Sequence, residues 1–180
     1  MARTMTKHVK YLFGAFGIAL VATLAYCLWC YVEVIKPHRF LAEVELKMAN
    51  DPNTIIPYEK TRVACHKILR DKNGNHHDAF LMLSLVGNHE SIPYLLKALK
   101  PEGPPSKDGG ISCSTFHCIG ALEKTTGTNL WLSYGPWEKW WREVGSKLPP
   151  DVIEANASNQ WAEIISKQHV GISHLDNHEK

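Results

Sequence analysis

The sequence predicts an all-α chain in which one apolar helix, long enough to cross a bilayer, precedes a small domain of helical repeats. Three observations carry this expectation. Tyr11 to Val32 contains no charged residue, and about 20 apolar helical residues span roughly 30 Å of hydrocarbon. From Pro37 onward the apolar residues recur with a helical period, and no segment shows the alternation of a half-buried strand. Two helix pairs are readable at a spacing of roughly 35–45 residues, within the range of helical repeats.

The apolar run lies behind a basic flank, residues 1–10, carrying Arg3, Lys7 and Lys10. Tyr11, Trp29 and Tyr31 sit near its ends, where amphipathic rings favour the headgroup region. A cleaved signal would have an apolar core of about 7–15 residues and a small-x-small site. This run is longer, and Ala22–Thr23–Leu24–Ala25–Tyr26–Cys27 offers no cleavage triplet. Tyr26 before Cys27 also argues against a lipid-modified cysteine. Residues 11–35 are therefore expected to be an uncleaved transmembrane helix, with Tyr11, Phe13, Leu20, Leu24, Trp29 and Val32 in the span. Lys and Arg tie at three on each side, Lys36, Arg39 and Lys47 lying after the run. The tighter N-terminal cluster, with Glu43 and Glu45 diluting the other, places the N-terminus in the cytoplasm and the soluble domain on the outer, periplasmic side.

In the juxtamembrane segment 36–51, Phe40, Leu41, Val44 and Met48 mark one face of a helix continuing from the anchor and ended by Asn50–Asp51–Pro52. Pro37 and Pro57 both suit a helix's first turn. Tyr58, Thr61, Cys65, Ile68 and Leu69 form the next stripe, closed by the turn Asp71–Lys72–Asn73–Gly74–Asn75. His77 to Val86 is nearly all apolar, which suits a helix enclosed by others. Gly87 should end it in the left-handed conformation. Ser91 is expected to cap the following helix, with Pro93 in its first turn and Ile92, Leu95, Leu96 and Leu99 along its face. After the loop Pro101–Gly110, a helix from about Ser112 to Thr125 carries Phe116, Ile119 and Leu122 inward. A last one opens at Pro136 with Trp137, Trp140, Trp141 and Val144. Residues 52–148 make the helical domain. Residues 149–180 read as an extension, with one or two helices around Val152, Ile153, Trp161, Ile164 and Ile165 and then a loose tail.

The stretch His77–Leu99 resembles a HEAT repeat of the short bacterial, PBS-lyase-like kind. Leu81, Leu85 and Gly87, then Ile92, Pro93, Leu95, Leu96 and Leu99, occupy the places of that pattern. The later stretch, with Thr126–Gly127 followed by a tryptophan-rich helix, is similar to the closing unit common in such proteins. The resemblance covers about Pro57 to Leu148. It implies a short α-solenoid, a right-handed stack that binds protein, with Leu81, Leu85, Leu95, Leu96, Leu99, Phe116, Ile119, Leu122, Trp137, Trp140 and Trp141 as its core. About three repeats or more are normally needed for such a stack to stand alone. Either the helices from Pro37 and Pro57 cap it, or another protein covers one end.

Chemistry is less legible. Lys and Arg total 20 against 18 acidic residues, a net charge of +2, which argues against a dedicated nucleic-acid binder. No nucleophile elbow, phosphate-binding loop or dinucleotide fingerprint occurs, so no catalytic residue is assigned and the chain reads as a non-enzyme. Ten histidines and five cysteines invite a metal or haem reading. The Cys27–Cys30 pair is followed by Tyr31 rather than histidine, and no zinc-type spacing is present, so no metal or cofactor is assigned. Cys113 and Cys118 cannot bridge if both are helical, whereas Cys65 with either stays open. Trp131 and Tyr134, in the loop before the last helix, are the candidate partner contacts, because such side chains dominate interface hot spots. The expectation is a membrane-anchored, protein-binding accessory subunit whose partners are integral membrane subunits. A metal- or haem-associated redox accessory is the alternative.

Overall fold

The computed structural model describes residues 2–51, 53–71, 76–100, 111–130 and 132–158, with side chains from residue 15 onward. A proline inside a helix loses one i→i−4 hydrogen bond and crowds the carbonyl four residues back. The chain passes Pro37 without breaking. Helix α1 (Ala2–Cys30) runs through a π-helical turn (Tyr31–Ile35) into α2 (Lys36–Asn50). The Lys36 N–H reaches the Tyr31 carbonyl, five residues back, so the wider turn accommodates the residue that would otherwise kink the rod. Within the rod, the segment from Ala15 to Asn50 is long and apolar enough to cross a membrane, with mean hydropathy 2.0 in its most apolar stretch and none of that stretch buried.

The second half of the rod belongs to the domain. Pro37, Leu41 and Val44 are buried on one face of α2, and Phe40 and Met48 pack partly against the same core. Helix α3 (Tyr58–Arg70) lies against α2 and buries Thr61, Ala64, Cys65, His66, Ile68 and Leu69. Pro57 stands just before α3 as its N-cap rather than within its first turn. Tyr58, expected in the inward stripe, is exposed.

Helix α4 (His77–Val86) packs between α3 and α6 (Cys113–Thr126), and α5 (Ile92–Leu99) lies on α3, α6 and α7 (Tyr134–Glu143). No strand occurs among the described residues. The centre of the core is Phe80, Leu83, Ile68, Leu95, Leu99, Ile119, Leu122 and Trp137, each almost fully enclosed. A short helix over 150–158 closes one end, inserting Ile153 into the same cluster.

Three expected core residues are outside it. Leu81 is 39% exposed, Leu85 50% and Phe116 58%. The buried set of α4 is Ala79, Phe80, Met82, Leu83 and Val86, an arc that leaves Leu81 and Leu85 on the far side of a 3.6-residue turn. In α6 the inward arc is Thr115, Cys118, Ile119, Ala121, Leu122, Thr125 and Thr126, which turns Phe116 outward. A nearly all apolar α4 suggested a helix enclosed by others, but only α3 and α6 cover it substantially. Leu95, Leu96, Leu99, Ile119, Leu122 and Trp137 are buried, while Trp140 and Trp141 pack half-buried on the core. Val144 leaves the inward stripe because α7 ends at Glu143, and at φ −128° and ψ −65° Val144 is no longer helical.

Local chemistry also differs at two turns. Gly87 is not left-handed, with φ −64° and ψ 150°. A Cβ there would sit 2.4 Å from the Leu83 carbonyl oxygen and 2.8 Å from Thr125 Oγ1, so glycine serves first the tight exit from α4's own last turn and then the close approach of α6. Among the described residues the left-handed one is Gly127 at φ 66°, and a Cβ on it would meet the Asn156 carbonyl at 2.4 Å. Asn88, rather than Ser91, caps the next turn: its side chain accepts from the Glu90 N–H at 3.1 Å, and Ser91 Oγ accepts from the Asn88 N–H at 3.3 Å.

Candidate functional site

Two regions of the molecule carry unusual side chains: the apolar rod, and the faces of the bundle where histidine, cysteine and exposed apolar residues collect. In the rod, Phe16, Leu20, Leu24 and Trp29 are all more than half exposed, and Val32 lies in the π turn at 37%. Tyr11 and Phe13 belong to α1, but their side chains fall outside the described set. Where the rod meets the bundle, Lys67 of α3 donates to Glu33 at 2.7 Å. Tyr26, Trp29, Glu33, Lys67 and Arg70 line a groove at that junction.

Of the two expected partner contacts, Trp131 lies outside the described residues. Tyr134 is the first residue of α7 rather than a loop residue, and it is half-buried against the core. Lys100 Nζ stands 6.0 Å from its ring centre. The exposed apolar side chains are found elsewhere. Leu81 and Leu85 lie one turn apart on α4, on the row that begins at His77. Phe116 lies beside His117 on the neighbouring α6, with ring centres 5.7 Å apart.

The buried Cys65, His66 and Cys118 have structural roles. His66 Nε2 and Ser91 Oγ are 2.9 Å apart, which has the spacing of a nucleophile and its base. Ser91 is fully buried and already accepts the Asn88 N–H, and Tyr94 stacks on the imidazole at 4.1 Å between ring centres. A substrate has no path to this hydroxyl. Burial, reinforced by the Arg62 charge, pushes the His66 pKa down to about 4, so the ring is neutral at physiological pH. Burial likewise pushes the Cys65 thiol up to about 12, which leaves it protonated and unreactive. Cys118 donates its S–H to the Leu95 carbonyl at 3.3 Å. All five cysteines are free, so neither of the Cys65 disulfides that stayed open is formed.

His77, Cys113 and His117 are different, because they converge at the surface. One ligand-type atom from each lies within 4.8 Å of the other two. The His77 and His117 rings meet edge to face with centres 4.6 Å apart. His77 Nδ1 is 3.0 Å from Asp78 Oδ1. Glu45 on α2 faces the same corner: burial first, and then the Asp78 charge, hold its carboxyl above the usual range, with His77 acting in the opposite direction. The sequence signal for this group was weak. Cys113 and His117 are four apart, hence one turn apart on one helix face, but the third member comes from 36 positions earlier on another element. No family model, curated protein or solved structure matches this chain.

Proposed function

We propose that the protein is a single-pass membrane protein whose helical domain, a short HEAT-like α-solenoid, binds another membrane protein beside the bilayer as a non-catalytic accessory subunit. The observation that carries this reading is the rod. Its apolar part is uncovered among the described residues, while its continuation supplies Leu41 and Val44 to the core of the bundle. A helix with that division of labour holds the bundle rigidly at the membrane surface.

The packing of α4 on α6 is that expected of the first helices of two stacked pairs, which supports the repeat reading. The concentrated Arg3, Lys7 and Lys10 favour a cytoplasmic N-terminus and an outer-side domain. For the partner-contact surface, the exposed Leu81, Leu85 and Phe116 replace the half-buried Tyr134 as the better candidates. The net charge of +2 points to recognition by shape and apolar contact rather than by long-range field.

The test is affinity purification of the tagged full chain from membranes in mild detergent, followed by mass spectrometry. One integral membrane protein should co-purify in a fixed ratio, and Leu81→Ser combined with Leu85→Ser should reduce its recovery several-fold. A chain that migrates only as a free monomer under the mildest extraction would overturn the reading.

A further inference from the structure

We propose that His77, Cys113 and His117 form a surface site for a divalent transition-metal ion, with zinc as the fitting ion, that clamps α4 to α6. The proposal stands apart from partner binding and does not depend on it. Its basis is a convergence of donor types. A thiol and two imidazoles are the soft and borderline ligands that zinc takes, whereas magnesium and calcium demand oxygen.

The geometry is close to what such an ion needs. Zinc bonds of about 2.3 Å to sulfur and 2.0–2.1 Å to nitrogen place tetrahedral ligand atoms roughly 3.3–3.6 Å apart. The three donors lie within 4.8 Å of one another, so a contraction of at most about 1.5 Å completes the site. Side-chain torsions can supply it, because Cys113 is exposed and both imidazoles are only half-buried. Cys113 begins α6 and His117 follows one turn later, so both project from one helix face. His77 opens α4 directly opposite.

The surroundings are those of a built site. Asp78 Oδ1 lies 3.0 Å from His77 Nδ1, a carboxylate beside the imidazole of the kind that orients metal-binding histidines. Binding exchanges a proton for the metal: the Cys113 thiol gives up its S–H proton to solvent, a sulfur–metal bond forms, and no oxidant or reductant is needed. Three protein ligands leave the fourth position of a tetrahedral ion to water or another donor.

Cobalt(II) is the probe, because a thiolate ligand gives it a charge-transfer absorption in the near ultraviolet. The full chain, purified metal-free and reduced in mild detergent, should bind one equivalent of cobalt with that absorption, and zinc should displace it. Cys113→Ser should abolish the absorption. His77→Gln and His117→Gln should each abolish stoichiometric binding, and Asp78→Asn should weaken it on the order of ten- to a hundredfold. Unchanged circular dichroism in these surface variants would exclude unfolding as the cause. Zinc should also raise the unfolding temperature of the parent chain but not of His117→Gln. The absence of the thiolate band in the parent chain overturns the proposal. So does a band that survives Cys113→Ser, and one removed only by replacing Cys27 and Cys30 would assign the metal to the apolar rod instead.

Discussion

The rod and the bundle use the same kinds of side chain in opposite ways. Phe16, Leu20 and Leu24 of α1 stand 69%, 52% and 60% exposed, while Phe80, Leu83 and Leu95 of the bundle are at 0–1%. Helix α4 is nearly as apolar as the rod, yet at ten residues it cannot cross a bilayer and must find protein to cover it. The lesson is about length and company. Burying an apolar side chain yields the same order of free energy against lipid or against protein, about 1.5–3 kcal/mol for a large one. The bundle supplies its own cover. The rod has none among the described residues.

This contrast can be broken from the rod's side with the largest effect. Replacing Leu20 and Leu24 by arginine should cost about 2.5–3.5 kcal/mol each at the centre of a span. The variant should move from the membrane pellet to the extractable fraction on carbonate washing. The bundle should keep its protease resistance, since neither leucine touches the core. Loss of the bundle's fold in that variant would mean that the two regions are not independent.

From the bundle's side, Trp137 is the largest fully buried side chain. Trp137→Ala should cost about 3–5 kcal/mol in denaturant unfolding of the detergent-solubilised chain. Trp137→Phe should cost clearly less, because the indole Nε1 has no hydrogen-bond partner among the described residues and its loss leaves no acceptor stranded. Equal losses for the two variants would contradict this account of the site.

His66 sharpens the comparison through pH. Its folded pKa of about 4 lies below the ordinary 6.5. Above pH 6.5 both folded and unfolded states hold a neutral ring, and its contribution is fully present. Between pH 6.5 and 4 the unfolded chain takes up a proton that the folded chain refuses, so stability falls by up to about 1.4 kcal/mol per pH unit. Arg62 and Arg70 face the ring and reinforce the effect, whereas Glu90 and Glu59 oppose it. His66→Gln should flatten the pH dependence of the denaturation midpoint between pH 5 and 7. A profile as steep as the parent's would assign it to other groups.

The smallest effect belongs to the outer face of α4. Leu81→Ser and Leu85→Ser should each change the stability of the solubilised chain by no more than about 0.5 kcal/mol, as for surface positions generally. Thermal unfolding checks this. Leu83→Ser on the same helix provides the buried contrast.

By itself the sequence determined the class of fold and the place of the apolar helix, because period and run length are local properties of the chain. The absence of alternation excluded strands, and Ser112, Pro93 and Thr126–Gly127 mark helix ends through short-range hydrogen bonding and backbone geometry. Tertiary structure alone decided which side of each helix faces inward. Leu81, Leu85 and Phe116 are as apolar as the residues beside them, and only the positions of α3 and α6 turn them outward. It also adds Thr125, on another helix, to the local Leu83 carbonyl as a reason for glycine at position 87. The convergence of His77 with Cys113 and His117 belongs to the same category: it exists only because α4 and α6 pack, and a chain pattern records spacing along a helix but not the helix that stands opposite.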